Sequence, residues 1–464
     1  MENKQFQPYV PASKVTPELT ATSIIMGILL SVIFGAANAY LGLRVGMTVS
    51  ASIPAAVISM GVIRVIMRKN SILESNLVQT IGSAGESLAA GAIFTMPALF
   101  IWASEGVMEK PDLISITLIA LLGGLLGVFF MIPLRNALIV REHGTLPYPE
   151  GQACAEVLLA GEQGGSNAST VFAGMGFAAL FKFIIDGLKF VPGEVALEGS
   201  SKNYPGAVGT QIYPAVMSVG YICGPRISSY MFSGGLFSWL VLIPIIVIFG
   251  SNIVMYPGTE TIGAIFEAEG TYGIWGSYVR YIGAGALAIG ATLYLLDSAW
   301  GFGSPELGAP QATLMKMVIE GIMGGNLPWG LILIGVFISV GIECVGIPVL
   351  PFAIGLYLPV HLNACIMVGG LVRWALEKRK DSEAKKESIN RGILFSSGLI
   401  AGEGLVGILL ALFAIFGLDQ KIDLSSKLGL PTWASNVGSL VLFGIIIATL
   451  VLFSVKKKAK KEAE

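Results

Sequence analysis

Five stretches of this chain carry no Asp, Glu, Lys or Arg: Leu19–Leu43, Leu113–Leu134, Asn203–Pro225, Ile227–Thr259 and Leu428–Val455. A helix needs about 20 apolar residues to cross a hydrocarbon core about 30 Å thick, and every one of these runs reaches that length. Charged residues make up 13% of the chain and the mean hydropathy is +0.76, against about 25% charged in a soluble domain. The sequence therefore reads as an all-α polytopic membrane protein. No basic block interleaved with aromatics occurs outside the loops, so no nucleic-acid partner is expected. Cys154, Cys223, Cys344 and Cys365 lie far apart without a CxxC pair and read as reduced packing residues; no metal or cofactor is expected.

Hydropathy marks about twelve spans, near 20–42, 47–66, 79–102, 113–134, 169–190, 207–225, 231–250, 281–296, 328–347, 350–373, 393–417 and 433–455. They divide the chain into an N-terminal segment (1–19), an N-terminal transmembrane bundle (20–296), a connecting segment (297–327), a C-terminal bundle (328–455) and a basic tail (456–464). The first 18 residues are polar and precede a run long enough to span, so no cleavable signal is read there. Cytoplasmic loops are richer in Lys and Arg. Arg64, Arg68 and Lys69, then Arg135 and Arg141, then the 377–391 loop and the 456–461 lysines all fall on one side when both termini are cytoplasmic. The opposite loops hold Glu105, Glu109, Asp112, Glu260, Glu267 and Glu269, with Arg44 as an exception.

Fifty-nine glycines let membrane helices approach closely. Prolines inside apolar segments (Pro54, Pro97, Pro133, Pro244, Pro348, Pro351 and Pro359) mark either kinked, packed helices or broken ones, the latter tolerated at membrane depth only against protein or a cavity. Two of the spans share a motif. "AGESL" (84–88) matches "AGEGL" (401–405), and "AYLGL" (39–43) upstream matches "FAIGL" (352–356). Both copies run in the same direction by the loop assignment, which is the pattern of a parallel internal repeat. Each motif leaves a carboxylate, Glu86 or Glu403, in an otherwise uncharged span. Such a charge costs about 2.5–3.5 kcal/mol at a helix centre and usually faces an interior or a pathway. The alternative is a protonated Glu hydrogen-bonded across helices.

Gln79, Ser83 and Glu86 stand at i, i+4 and i+7 and share a helix face. With Asn38 and Tyr40 at the first short motif, Tyr357 and Asn363 after its partner, and Ser397 beside Glu403, they form the candidate substrate- and proton-binding set. Glu343 sits near a span end and can reach water. His361 has no second ligand at helical spacing, so it reads as hydrogen-bonded rather than metal-binding. Lys182 and Asp186, one turn apart, are expected to pair. No HExxH, GxSxG or Walker A sequence occurs, and "GMGFAA" (174–179) lies inside a span, so enzymatic and directly ATP-driven readings lack support.

Six blocks stand out: "GAANAYLGLRVGMTVSASIPAAVISMGV" (35–62), "NLVQTIGSAGESLAAGAIFTMPAL" (76–99), "LPYPEGQACAEVL" (146–158), "PELGAPQATLMKMVIEGIMGGNLPW" (305–329), "PFAIGLYLPVHLNACIMVGGLVRW" (351–374) and "RGILFSSGLIAGEGLVGILLALF" (391–413). They resemble the oligopeptide transporter (OPT) family, which includes yellow-stripe-like metal-chelate transporters, and look closest to its bacterial and archaeal branch. The resemblance implies a secondary transporter in the cytoplasmic membrane, moving short peptides or peptide-like chelates with protons, alone or as a homo-oligomer. The chain departs from the family pattern in lacking a block of spans and a "DLKTG…GATP" loop before 305. A truncated, non-transporting membrane subunit therefore stands beside the transporter reading.

Overall fold

The computed structural model describes residues 9–455 apart from 12, 46–51, 67, 69–70, 105–108, 142–147, 164, 199–203, 287–327, 380–381, 416–417 and 425–430. The connecting segment, most of the expected eighth span and the basic tail thus lie outside the described residues. The chain forms two compact units, residues 1–148 with 289–327 and residues 149–288 with 328–464.

The first unit contains α1 (Ala21–Val45), α2 (Ser52–Met60), α3 (Ile72–Ser104) and α4 (Leu113–Arg135). Its helix starts are written in the sequence. Ser71 and Glu74 have the S-x-x-E spacing of a capping box, and the Ser71 hydroxyl accepts from the Glu74 N–H at 3.3 Å. Glu74 is buried, and its carboxylate takes a 2.6 Å hydrogen bond from the hydroxyl of Thr20, just before α1. The two helix starts are therefore tied together. Further along, Gly85 on α3 lies so close to the backbone of Ser31 on α1 that no Cβ would fit. Contacts thus advance together along both helices, and α1 and α3 run parallel.

Asp112 caps α4, accepting from the Ser115 N–H at 3.3 Å. Its bonds to Ser115 hold the exposed carboxyl below the usual carboxylate range. No residue of α4 is buried, although the helix is long and apolar enough to cross a membrane. Leu118, Leu122, Leu126, Phe129 and Phe130 all lie open on its surface, as a helix solvated by lipid would be.

The second unit opens with α5 (Pro149–Gln163) and α6 (Gly165–Lys182), the latter continuing through a π-helical turn to Gly187. A two-stranded antiparallel hairpin follows, β1 (Glu194–Glu198) and β2 (Ala207–Gln211), with Glu194 opposite Gln211. Next come α7 (Pro214–Cys223), α8 (Pro225–Phe237), α9 (Ile243–Gly250) and α10 (Ile262–Ile274). A π-helical turn joins α8 to α9, and another, Trp275–Val279, extends α10. The C-terminal part comprises α11 (Trp329–Cys344), α12 (Val349–Tyr357), α13 (Val360–Glu377), α14 (Ser382–Ile415), the short α15 (Asp419–Ile422) and α16 (Thr432–Val455).

The expected span at 207–225 is different in kind. It starts as a strand, and its helix, α7, has only 10 residues before the chain turns at Gly224, with φ of +87°. A residue at that angle favours glycine, and Pro225 then starts α8 without needing an amide partner. The span expected at 350–373 is likewise two helices, α12 and α13, parted at Leu358 and Pro359.

Glycines set the crossings of this unit. Gly398 and Gly402 on α14 touch the backbone of Val171 and Met175 on α6, Gly220 on α7 touches Ile366 on α13, and Gly355 on α12 touches Met231 on α8, each without room for a Cβ. The first pair again advances in register, so α6 and α14 are parallel. Around these crossings a core of Phe181, Ile212, Met217, Tyr221, Phe395, Leu399 and Ile446 is closed from water.

Gly402→Ala should lower the thermal stability of the detergent-solubilised protein by about 1–3 kcal/mol, the usual effect of overpacking. Gly176→Ala on the facing helix meets nothing within 4 Å and should leave stability unchanged or slightly raised. Equal melting temperatures for both variants would contradict the close crossing.

Candidate functional site

A ten-residue helix cannot satisfy its own ends. The first N–H groups and last carbonyls of any helix lack intrahelical partners, and in α7 these are a large share of the whole. Two side chains from other helices take up that role. The Ala215 N–H, in the first turn, donates to Glu403 Oε2 at 2.7 Å. At the far end, Arg373 Nη1 donates to the carbonyls of Tyr221 and Ile222 at 3.1 and 2.6 Å, while Arg373 Nε pairs with Glu377 at 3.0 Å. An anion thus sits at the positive end of the helix dipole and a cation at the negative end, the favourable sense for both.

Glu403 does more than cap. Its Oε1 lies 3.5 Å from Lys182 Nζ, and Lys182 also reaches Asp186 Oδ2 at 2.6 Å. Tyr213, the residue before α7, donates its hydroxyl to Asp186 Oδ1 at 3.0 Å and offers its ring face to the Lys182 ammonium, 4.1 Å from the centroid. The side chains of Lys182, Glu403 and Asp186 are only 16%, 12% and 29% exposed. With both carboxylates ionised, one cation faces two anions. The cluster is then one positive charge short of neutrality, and a proton or a substrate ammonium can supply it.

The expected Lys182–Asp186 pair is present. That Glu403 joins it was not read from the sequence, since the three residues come from distant segments. The available signal was scarcity: a carboxylate inside a membrane needs a partner, and few spans hold a cation. Tyr213 and Arg373 carried no sequence signal of their role.

The other candidates are placed as follows. Ser397 is buried and donates to the Ile393 carbonyl at 2.8 Å. Asn363 is buried where α12 breaks into α13, donating to the carbonyls of Gly355, Leu358 and Pro359 at 2.9, 3.3 and 3.4 Å. It thereby satisfies carbonyls that the break sets free. Tyr357 is buried at the end of α12. Gln79, Ser83 and Glu86 lie half-buried on α3; the Ser83 hydroxyl donates to the Thr80 carbonyl at 3.2 Å, and Thr80 donates to Gln79 Oε1 at 3.4 Å. The backbones of Asn38 and Tyr40 belong to α1, but their side chains lie outside the described residues. Glu343 is exposed at the end of α11. His361 hydrogen-bonds the Tyr272 hydroxyl, with Glu194 3.8 Å from its Nε2. No cluster of three metal-ligating side chains occurs among the described residues.

A helical chain with apolar spans, broken helices and a buried charge cluster is a polytopic membrane protein. Residues 18–300 and 298–414 match the family described as "OPT oligopeptide transporter protein", and the chain belongs to that family. The two matched segments meet near residue 300. A Haemophilus influenzae protein named "Putative oligopeptide transporter" is 34% identical over 288 residues, covering 61% of this chain and 40% of that relative. The match thus spans well under half the relative's length.

Removing one member of a buried ion cluster leaves another charge uncompensated, at about 3–5 kcal/mol. Lys182→Met should therefore destabilise the protein by an amount of that order. Glu403→Gln, whose amide oxygen still accepts from Ala215, should cost clearly less. Thermal unfolding in detergent compares the two, and the reverse order would show that Lys182 does not hold the cluster together.

Proposed function

We propose that this chain is a proton-coupled secondary transporter of short oligopeptides in the cytoplasmic membrane, with both termini on the cytoplasmic side. Family membership supplies the substrate class. The observation that carries the coupling is the Lys182–Asp186–Glu403 cluster, one positive charge short of neutrality and fixed to the free N–H of a short helix. Protonation of a carboxylate there neutralises the cluster and loosens the hold on Lys182. Loss of the proton restores it. A site whose charge alternates in this way can favour two arrangements of the helices around it, which alternating access requires.

The polar stripe of Gln79, Ser83 and Glu86 on α3, with Asn38 and Tyr40 on α1, is the second element of the proposal. Both Ala-Gly-Glu motifs fall where a long helix crosses a parallel partner at a glycine: Gly85 against α1 and Gly402 against α6. This supports a parallel repeat in which Glu86 and Glu403 are counterparts. Ser397, Tyr357 and Asn363 act by position, holding α14 and the α12–α13 break in shape near the path.

One observation favours a different reading. The two family segments, 18–300 and 298–414, adjoin directly inside the chain. A non-transporting membrane subunit would fit that economy, and a carrier of peptide-like metal chelates would fit the same family.

Uptake by proteoliposomes separates these readings. A labelled tripeptide should accumulate when the lumen is alkaline, and a labelled iron chelate should not. Glu86→Gln and Glu403→Gln should each insert yet lose at least tenfold of the gradient-driven rate. Full gradient-driven uptake by both variants would remove these carboxylates from coupling, and no uptake by the unmodified protein would leave the subunit reading. For orientation, a single cysteine at position 267 should react with an impermeant reagent outside right-side-out cells, whereas one at 383 should not.

A further inference from the structure

Apart from the ion cluster, the second unit holds a group of buried donors with nothing to donate to. The Thr271 hydroxyl, the Trp239 and Trp275 indole N–H groups and the Nε of Arg280 are all buried without a hydrogen-bond partner. Folded proteins leave few such groups unpaired, and each one calls for a water, an ion or a ligand. Their placement is not scattered. Thr271 and Trp275 are one turn apart and share a helix face, just after the helix breaks at Gly270, with φ of +65°.

The π-helical turn Trp275–Val279 then changes the spacing. Arg280 donates its backbone N–H to the Trp275 carbonyl, five residues back, so it lies a turn beyond Trp275, with its guanidinium carbon 5.2 Å from the indole centroid. In a regular α-helix a residue five positions on would be rotated well off that face. Single π turns of this kind gather at functional sites. Beside the stripe, the rings of Trp239 and Trp275 stack with centroids 6.3 Å apart, and Tyr272 meets Trp239 edge-on at 5.0 Å. Gly283, one turn past Arg280, brings this helix onto α12 at Tyr357, where a Cβ would stand 2.7 Å from the Tyr357 Cα. No carboxylate among the described residues forms an ion pair with Arg280.

We propose that Arg280 is a binding residue for the carboxylate of an acceptor-rich organic anion, seated against Trp275, with the indole N–H groups of Trp275 and Trp239 and the Thr271 hydroxyl taking its remaining oxygens. A guanidinium presents a planar fork that matches a carboxylate in two parallel hydrogen bonds, which an ammonium cannot do. Resting it on an indole face leaves its edge available for that fork. This assignment rests on the peptide reading only for the identity of the ligand; the requirement for a carboxylate comes from Arg280 itself.

The test uses the full-length protein in detergent and its tryptophan emission. A tripeptide free acid should change the emission of the unmodified protein at a concentration at least tenfold lower than the same tripeptide with an amidated C-terminus. Arg280→Gln should bind acid and amide equally, at the amide's concentration, and Arg280→Lys should fall between. Acetate, added alone at millimolar concentration, should change the emission of the unmodified protein and of Arg280→Lys but not of Arg280→Gln. If neither peptide form binds the unmodified protein while acetate still discriminates, the peptide reading fails and the carboxylate site stands. If Arg280→Gln melts at the same temperature as the unmodified protein and keeps the response to acetate and the preference for the acid, the site is wrong and the donors are met by water. A melting temperature lowered for Arg280→Gln but not for Arg280→Lys, with acetate silent on all three proteins, would likewise overturn it and leave Arg280 a packing cation.

Discussion

Everything in the second unit leans on the two charges that close α7. A helix of ten residues placed among apolar neighbours would strand a large part of its backbone hydrogen-bonding capacity, and each stranded group costs several kcal/mol in hydrocarbon. Glu403 from α14 and Arg373 from α13 meet that need at opposite ends. Those two helices are thereby fixed relative to α7 and to each other. The glycine crossings of α14 on α6 and α7 on α13 depend on that fixing, because backbones in contact through glycine have no side chain to set their spacing. Lys182 adds the remaining constraint by tying Glu403 to α6. One carboxylate thus joins three helices.

The same carboxylate has two structural duties. It accepts from the Ala215 N–H at the positive end of the α7 dipole and faces the Lys182 ammonium, and both partners favour an anion at that place. Asp186 shares Lys182 with it and is the more exposed of the two carboxylates. Tyr213, bonded to Asp186 and stacked on Lys182, links this charge cluster to the residue that precedes α7.

Helix content was plain in the sequence, and so were some of the about twelve expected spans, because a bilayer imposes a length that hydropathy measures directly. Four described helices are long and apolar enough to cross. Pro359 announced the break between α12 and α13, since proline lacks the N–H and forces the preceding residue out of helical geometry. The strand at 207–211 was not legible: "AVGTQ" is apolar enough to extend a span, and only its pairing with 194–198 makes it β. Within the site, the Lys182–Asp186 spacing was local and therefore readable. The Glu403–Lys182 contact joins residues more than two hundred positions apart, and no local pattern encodes it. Asn363 could be singled out as polar inside a span, but not as the donor that closes a helix break. The π turn before Arg280 left no signature either, because one extra residue per turn does not change composition.

α4 stands apart from these constraints. Ile116 and Ala120 are half-buried and Gly124 lies against Leu88 of α3, but no residue of α4 is buried. Its 23 residues amount to about 34 Å of helix at 1.5 Å per residue. What such a helix must preserve is a thickness and an oiliness, not an identity. Leu, Ile, Phe and Val are interchangeable along most of it, and substitution there is paced by the lipid rather than by the protein. What ties α4 to its surroundings is thus hydrophobic length, which a bilayer matches within a few ångströms.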